Sequence, residues 1–111
     1  MHELAITQDM VAAVAETVGP ARVARVRLQI GQLAGVVPEA LRFCFDACSR
    51  GTTLEGATLE IDEIDAHGRC RRCDAEIAMT TFLDPCSCGS TDVEMLTGQE
   101  LRIKDVEVEV H

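Results

Sequence analysis

Apolar residues near the start of the chain recur at four-residue intervals: Ile6, Met10, Val14 and Val18 form a stripe that Val11 and Ala15 widen. Side chains so spaced share one helical face, which predicts an amphipathic helix packed on a core. Gly19 and Pro20 stop it. From Val23 the period drops to two, with Val26, Leu28 and Ile30 facing one way and Arg25, Arg27 and Gln29 the other, as in a half-buried strand. Gly31 and Gly35 bracket a loop, and Pro38 suits the first turn of a second helix, where its missing N–H has no partner to lose. That helix is expected to run to about Arg50, to bury Leu41, Cys44, Phe45 and Cys48, and to end at Gly51. A second strand is expected over 57–64 through Leu59 and Ile61, and a last one over 101–110. In the last strand Leu101 and Ile103 are out of phase with Val106, Val108 and Val110, so a bulge near Lys104 and Asp105 is required.

Residues 66–98 break this regularity. They hold four cysteines, three glycines and only scattered apolar residues, too few to bury the surface that unaided folding needs. The expected fold class is α+β: two helices packed on a three-stranded β-sheet, with an inserted zinc-ribbon-like lobe. The expected division is an αβ domain of 1–65 plus 99–111 and a lobe of 66–98.

Cys70-Arg-Arg-Cys73 and Cys86-Ser-Cys88 stand twelve residues apart, so two thiolate turns can face each other across a short hairpin and complete a tetrahedron. Four sulfurs favour zinc, and a centre closed by four protein ligands keeps no position for water or substrate: it stabilises and does not catalyse. A redox dithiol at Cys70 and Cys73 is the competing reading, but it leaves the second pair unexplained. Cys86 and Cys88 have one residue between them where two is usual, which suggests a strained knuckle, with His67 or a water as a substitute ligand. Arg69, Arg71 and Arg72 are expected to offset the charge of the thiolates. Cys44 and Cys48, one turn apart on an apolar stripe, read as small buried hydrophobes.

Composition narrows the partners. Hydrophobic residues reach 47% but aromatic ones only 3%, so the core is aliphatic and base stacking has almost no platform. A net charge of -9 and a pI near 4.6 disfavour nucleic acid. No apolar run approaches the roughly 20 residues that cross a membrane. The opening residues lack a basic n-region and carry Glu3, Asp9 and Glu16, unlike a signal peptide, so a cytoplasmic, reducing setting is expected, in which six cysteines are thiols or metal ligands.

The first residues offer different chemistry. The α-amine of Met1, the amide nitrogen of His2 and its imidazole can close adjacent chelate rings on one metal, a nitrogen set that suits Ni(II) or Cu(II). Glu3 can add an amide nitrogen, or a carboxylate that holds the imidazole. An ordinary frayed terminus is the plain alternative; His67 and His111 read as surface residues.

Taken together, Met1-His2-Glu3, the stretch GQLAGVVPEALRFCFD, the run GTTLEGATLEI, the cysteine lobe and the closing GQELRIKDVEVE resemble the HypA/HybF family of hydrogenase nickel-incorporation proteins. The resemblance implies a nickel metallochaperone and no catalysis. It implies that Ni(II), as transient cargo, is held by His2 and Met1 with Glu3 in support, while Cys70, Cys73, Cys86 and Cys88 hold structural zinc. It further implies a HypB-type GTPase and the large subunit of a [NiFe]-hydrogenase as partners. Cys88-Gly-Ser fits the family's closing motif, whereas Cys86 is shifted by one position. A zinc-ribbon interaction module without nickel transfer is the alternative.

Overall fold

The computed structural model describes residues 2–110. Helix α1 spans Glu3–Val18, strand β1 Val23–Gly31, helix α2 Pro38–Ser49 and strand β2 Thr58–Ile64. Three short strands follow, β3 at His67–Cys70, β4 at Glu76–Ala78 and β5 at Val93–Thr97, before β6 at Leu101–Val108. The first sheet has the order β2-β1-β6, with β1 parallel to β2 and antiparallel to β6. A parallel pair needs a crossover, and α2 supplies it.

Both helices cover one face of this sheet. Met10, Val11 and Val14 of α1 and Leu41 and Phe45 of α2 close on Val23, Val26, Leu28 and Ile30 of β1, with Leu54 and Leu59 completing the core. Ile6, Ala15 and Val18 flank it half-buried. Gly19 ends α1 at a φ of 62°, its N–H returning to the Ala15 carbonyl at 3.1 Å. The α+β reading therefore holds, helices on a three-stranded sheet. No helix of the described residues is long and apolar enough to cross a membrane.

Two local expectations change and one holds. The buried stripe of α2 is Leu41, Phe45 and Ser49, and Cys44 and Cys48 lie half-buried beside it. Repeated four-residue steps from Leu41 select this line, and the Ser49 hydroxyl remains satisfied inside by the Asp46 carbonyl at 3.3 Å. The last strand stops at Val108, where the Glu109 N–H turns to the Arg22 carbonyl at 2.8 Å. The bulge does occur: Arg27 opposes Asp105 and Leu28 opposes Ile103, leaving Lys104 as the extra residue.

On the far face of the first sheet, Arg25 and Arg27 bridge both neighbouring strands. Arg25 reaches Glu60 at 3.5 Å and Glu107 at 2.9 Å, and Arg27 reaches Glu60 at 3.2 Å and Asp105 at 3.4 Å. Solvent screening leaves each such pair a small contribution to stability. Their larger effect is to let an acidic chain stack carboxylates across one sheet; Asp105, first, and Glu60 push the Arg27 pKa up.

The second sheet, β4-β3-β5, is antiparallel throughout. It is fuller than the single hairpin expected from the cysteine spacing, because β5 pairs along β3 on the side opposite β4. The two sheets meet at a dense joint. Gly31 N–H donates to the Glu100 carbonyl, Gln32 N–H to Ile64 and Leu33 N–H to Gly98, at 2.7, 2.8 and 2.7 Å. The Gln32 side chain accepts the Ala66 N–H at 3.1 Å, and the Thr97 hydroxyl donates to the Asp65 carbonyl at 2.8 Å.

Candidate metal centre

Two backbone turns bring the four lobe cysteines together. Cys70 ends β3, and its carbonyl accepts the Asp74 N–H at 2.8 Å while its N–H donates to the Ala75 carbonyl at 2.9 Å, with Asp74 at a φ of 65°. The chain thus folds back sharply enough to aim Cys73 beside Cys70. In the second turn Cys86 N–H donates to the Ser90 carbonyl at 2.9 Å and Gly89 N–H to the Cys86 carbonyl at 2.8 Å. The turns are tied to each other: Arg71 N–H donates to the Asp92 carbonyl at 3.0 Å, and the Arg71 guanidinium meets the Asp92 carboxylate at 2.8 Å.

The sulfurs of Cys70, Cys73, Cys86 and Cys88 all lie within 4.8 Å of one another. Cys70 Sγ is 3.7 Å from Cys88 Sγ, and Cys73 Sγ is 3.5 Å from Cys86 Sγ. A tetrahedron with bonds of about 2.3 Å has sulfur–sulfur edges of about 3.8 Å. The donor set therefore fits a four-coordinate zinc ion in both chemistry and size. Cys70 and Cys86 are buried, and Cys73 and Cys88 form the exposed rim.

Proton affinity differs among Cys70, Cys73 and Cys86. The Cys73 N–H, then that of Arg72 and the neighbouring thiols, holds Cys70 down to about 6, and the Cys88 N–H with the Cys73 thiol lowers Cys86. At Cys73 the Ala75 N–H pulls downward, but hydrogen bonding to the Cys86 and Cys70 sulfurs prevails and pushes it up to about 12. Backbone N–H groups thus favour the thiolate form at Cys70 and Cys86, while Cys73 holds its proton until an arriving cation displaces it.

One-residue spacing does not exclude Cys86, and His67 does not replace it. His67 lies at the other end of β3, exposed, with Nδ1 3.4 Å from the Thr97 hydroxyl. A clamp absent from the sequence reading holds the preceding loop: the Asp84 carboxylate accepts the Thr80 N–H and hydroxyl at 2.6 and 2.9 Å and the Thr81 N–H and hydroxyl at 3.3 and 2.8 Å. These donors, led by the Thr80 N–H, hold Asp84 near 2. The pattern Thr-Thr-x-x-Asp was the signal for it. Asp84→Ala is expected to free the loop carrying exposed Phe82 and Leu83, giving several-fold faster chymotryptic cleavage there; an unchanged cleavage rate counts against the clamp.

The arginines also differ from expectation. Arg69 pairs with Asp74 at 3.8 Å and Glu76 at 3.1 Å, Arg71 pairs with Asp92, and Arg72 is exposed. Carboxylates are stronger partners for guanidinium than sulfur, and backbone N–H groups are left to stabilise the thiolates.

At the other candidate site, Met1 lies outside the described residues, as does His111. His2 is exposed immediately before α1, and its carbonyl accepts the Ile6 N–H at 3.0 Å. Glu3 turns inward: it is 6% exposed, and its carboxylate accepts the Val37 N–H, which opens α2, at 3.1 Å. Thr7 donates its hydroxyl to the Glu3 carbonyl at 2.6 Å. The first turn of α1 is thereby fixed to the first turn of α2, where Glu39 is exposed two residues beyond Val37.

A two-helix, two-sheet protein with a four-cysteine cage beside one sheet and an exposed histidine opening a helix on the other belongs to the class of small metal-handling proteins. The family model described as "Hydrogenase/urease nickel incorporation, metallochaperone, hypA" matches residues 1–108, and the chain belongs to this HypA family. It is 52% identical over 109 residues to the hydrogenase maturation factor HypA of Nostoc punctiforme, covering 98% of this chain and 96% of that one. Its identity to the HypA of Geotalea uraniireducens is 51% over 110 residues, 98% and 100% of the two chains. Its fold matches the solution structure of the Ni metallochaperone HypA from Helicobacter pylori with a TM-score of 0.66 at 19% identity, covering both chains completely. It is a metallochaperone-family protein of hydrogenase maturation, and the reading as a bare interaction module is not favoured.

Proposed function

We propose that this chain carries Ni(II) at its amino terminus and releases it to a [NiFe]-hydrogenase large subunit in concert with a HypB-type GTPase, acting in the cytoplasm and catalysing no reaction of its own. The Met1 amine and the His2 amide and imidazole nitrogens bind the cargo. Glu3 supports them by fixing the start of α1 through Val37. In this reading Cys70, Cys73, Cys86 and Cys88 hold a permanent zinc, so that 66–98 is the zinc-binding lobe and 1–65 plus 99–111 the nickel-binding domain.

The separation of two unlike donor sets carries the reading. A sulfur cage of four protein ligands retains its ion, whereas an exposed imidazole at a helix start can exchange ligands with an acceptor. Protons compete for the imidazole and amine, so nickel affinity is expected to fall as pH drops. Calorimetric nickel titration of the native-start protein, of His2→Ala and of a chain extended before Met1 tests the assignment. Stoichiometric binding is expected only for the first, with zinc content equal in all three. Undiminished nickel affinity in either altered chain would reject it.

A further inference from the structure

We propose that the free edge of β6 pairs with the same edge of a second copy of this chain across a two-fold axis. β6 is an outer strand of the β2-β1-β6 sheet, and among the described residues its far side has no ladder partner. It contains no proline, and Leu101, Ile103 and Val108 are 43%, 37% and 36% exposed. Leu101 and Ile103 also line, with Ile6, Met10 and Leu28, an open groove of about 360 Å³ between the strand and α1. Uncovered edges of this kind recruit further strands.

The order of residues specifies which strand. Laid antiparallel against itself about the Lys104-Asp105 bond, β6 sets Lys104 opposite Asp105, Ile103 opposite Val106, Arg102 opposite Glu107 and Leu101 opposite Val108. Every cation meets an anion and every apolar residue an apolar one, and the two-fold axis makes each match twice.

A regular strand could not do this. A two-fold axis normal to the sheet keeps each side chain on its own face, and in unbroken alternation residues 103 and 106 occupy opposite faces. The bulge supplies the missing step. With Lys104 as the extra residue, Ile103 stands opposite Leu28 and Val106 opposite Val26, both on the helix-covered face. Arg102 stands opposite Gln29 and Glu107 opposite Arg25, both on the charged face. The irregularity that fits β6 to β1 thus makes its other edge self-complementary. Arg102 bonds Gln29 and Glu107 bonds Arg25 at 2.9 Å within the chain, yet a guanidinium has five donors and a carboxylate two oxygens, so each can take a second partner.

Sedimentation equilibrium of the full zinc-loaded chain at submillimolar concentration tests this, with a dimer that weakens as salt is raised as the expected result. Arg102→Glu sets acidic side chains opposite each other and Glu107→Arg sets basic ones, so each variant alone should self-associate roughly tenfold more weakly or worse. Mixed in equal amounts they are complementary at both positions, and a heterodimer of near wild-type affinity should form. A monomeric wild type, single variants that dimerise undiminished, or a mixture that stays monomeric each overturns the proposal. If either variant loses its helical circular dichroism or its zinc, Lys104→Glu and Asp105→Lys pass through the same scheme, and the same three outcomes decide.

Discussion

With zinc held by the four sulfurs as proposed, Cys86→Ser is expected to yield a protein that loses the ion and its ordered 66–98 segment while keeping both helices and the β2-β1-β6 sheet. The four lobe cysteines converge through turns held by few hydrogen bonds, and the interior beneath them is small: Ala66, Met79 and the two buried sulfurs. Structural zinc in small metal-stapled units contributes on the order of 10 kcal/mol to folding. A hydroxyl does not replace a thiolate toward zinc, so the remaining three sulfurs hold the ion weakly or not at all. By contrast the first core draws on Phe45, Ile30, Leu41 and Leu54, each 2% exposed or less, and owes nothing to the metal. The expected observables are substoichiometric zinc, collapse of amide dispersion confined to the lobe, and near-native helical circular dichroism. Cys48→Ala, half-buried on α2, serves as the control and should leave zinc untouched. Full zinc occupancy in Cys86→Ser with the lobe spectrum unchanged would show that the cage does not depend on that ligand.

Those two cysteines mark what the chain makes legible. Periodicity located α1, β1, α2 and β2 because each buries one face against a shared core, and burial is what the pattern records. The phase break between Ile103 and Val106 even revealed the bulge, since a strand with one covered face cannot change phase otherwise. Cys70, Cys73, Cys86 and Cys88 were legible for a chemical reason, because paired sulfurs at short spacing serve few other purposes. Local interactions decided the rest. Asp84 reads as a loop acid until Thr80 and Thr81 are seen to donate to it, and Arg69 and Arg71 read as thiolate counterions until Glu76 and Asp92 stand across from them. Glu3 is the clearest instance: nothing in its spacing from Val37, thirty-four residues on, announces that its carboxylate fastens one helix start to another. Cys44 and Ser49 exchanged places for a similar reason, as a stripe several residues wide leaves the helix free to rotate by part of a turn until packing settles it.

Gly31→Ala is expected to be among the most destabilising single-methyl additions this chain can suffer, and the reason lies in the joint between its sheets. Gly31 is the last residue of β1, it is buried, and its N–H donates to the Glu100 carbonyl. A β-carbon built there would overlap the Gly98 carbonyl and stand 2.5 Å from the Gln99 nitrogen. All of these are backbone atoms, so no side-chain rotation relieves the clash. Gly98 itself is pressed from behind by Ala66, which is 1% exposed, so the segment cannot retreat without opening the contacts that seat the second sheet. Overpacking of this rigidity costs about 3 kcal/mol or more, a large share of the roughly 5–15 kcal/mol that a domain has in total. Gly19→Ala is the informative comparison: its φ of 62° with a ψ of -131° is backbone an alanine rarely adopts, at a cost of about 1–3 kcal/mol, but a β-carbon there meets nothing within 4 Å, so only strain and no clash is tested. Urea unfolding of both variants measures the difference, and hydrogen exchange at Leu33, whose N–H donates to the Gly98 carbonyl, reports the joint directly. A larger loss for Gly31→Ala, with Leu33 protection gone while zinc stays bound, is the expected pattern. Equal urea midpoints for the two variants would mean that the joint yields easily, and the two sheets would then have to be regarded as hinged.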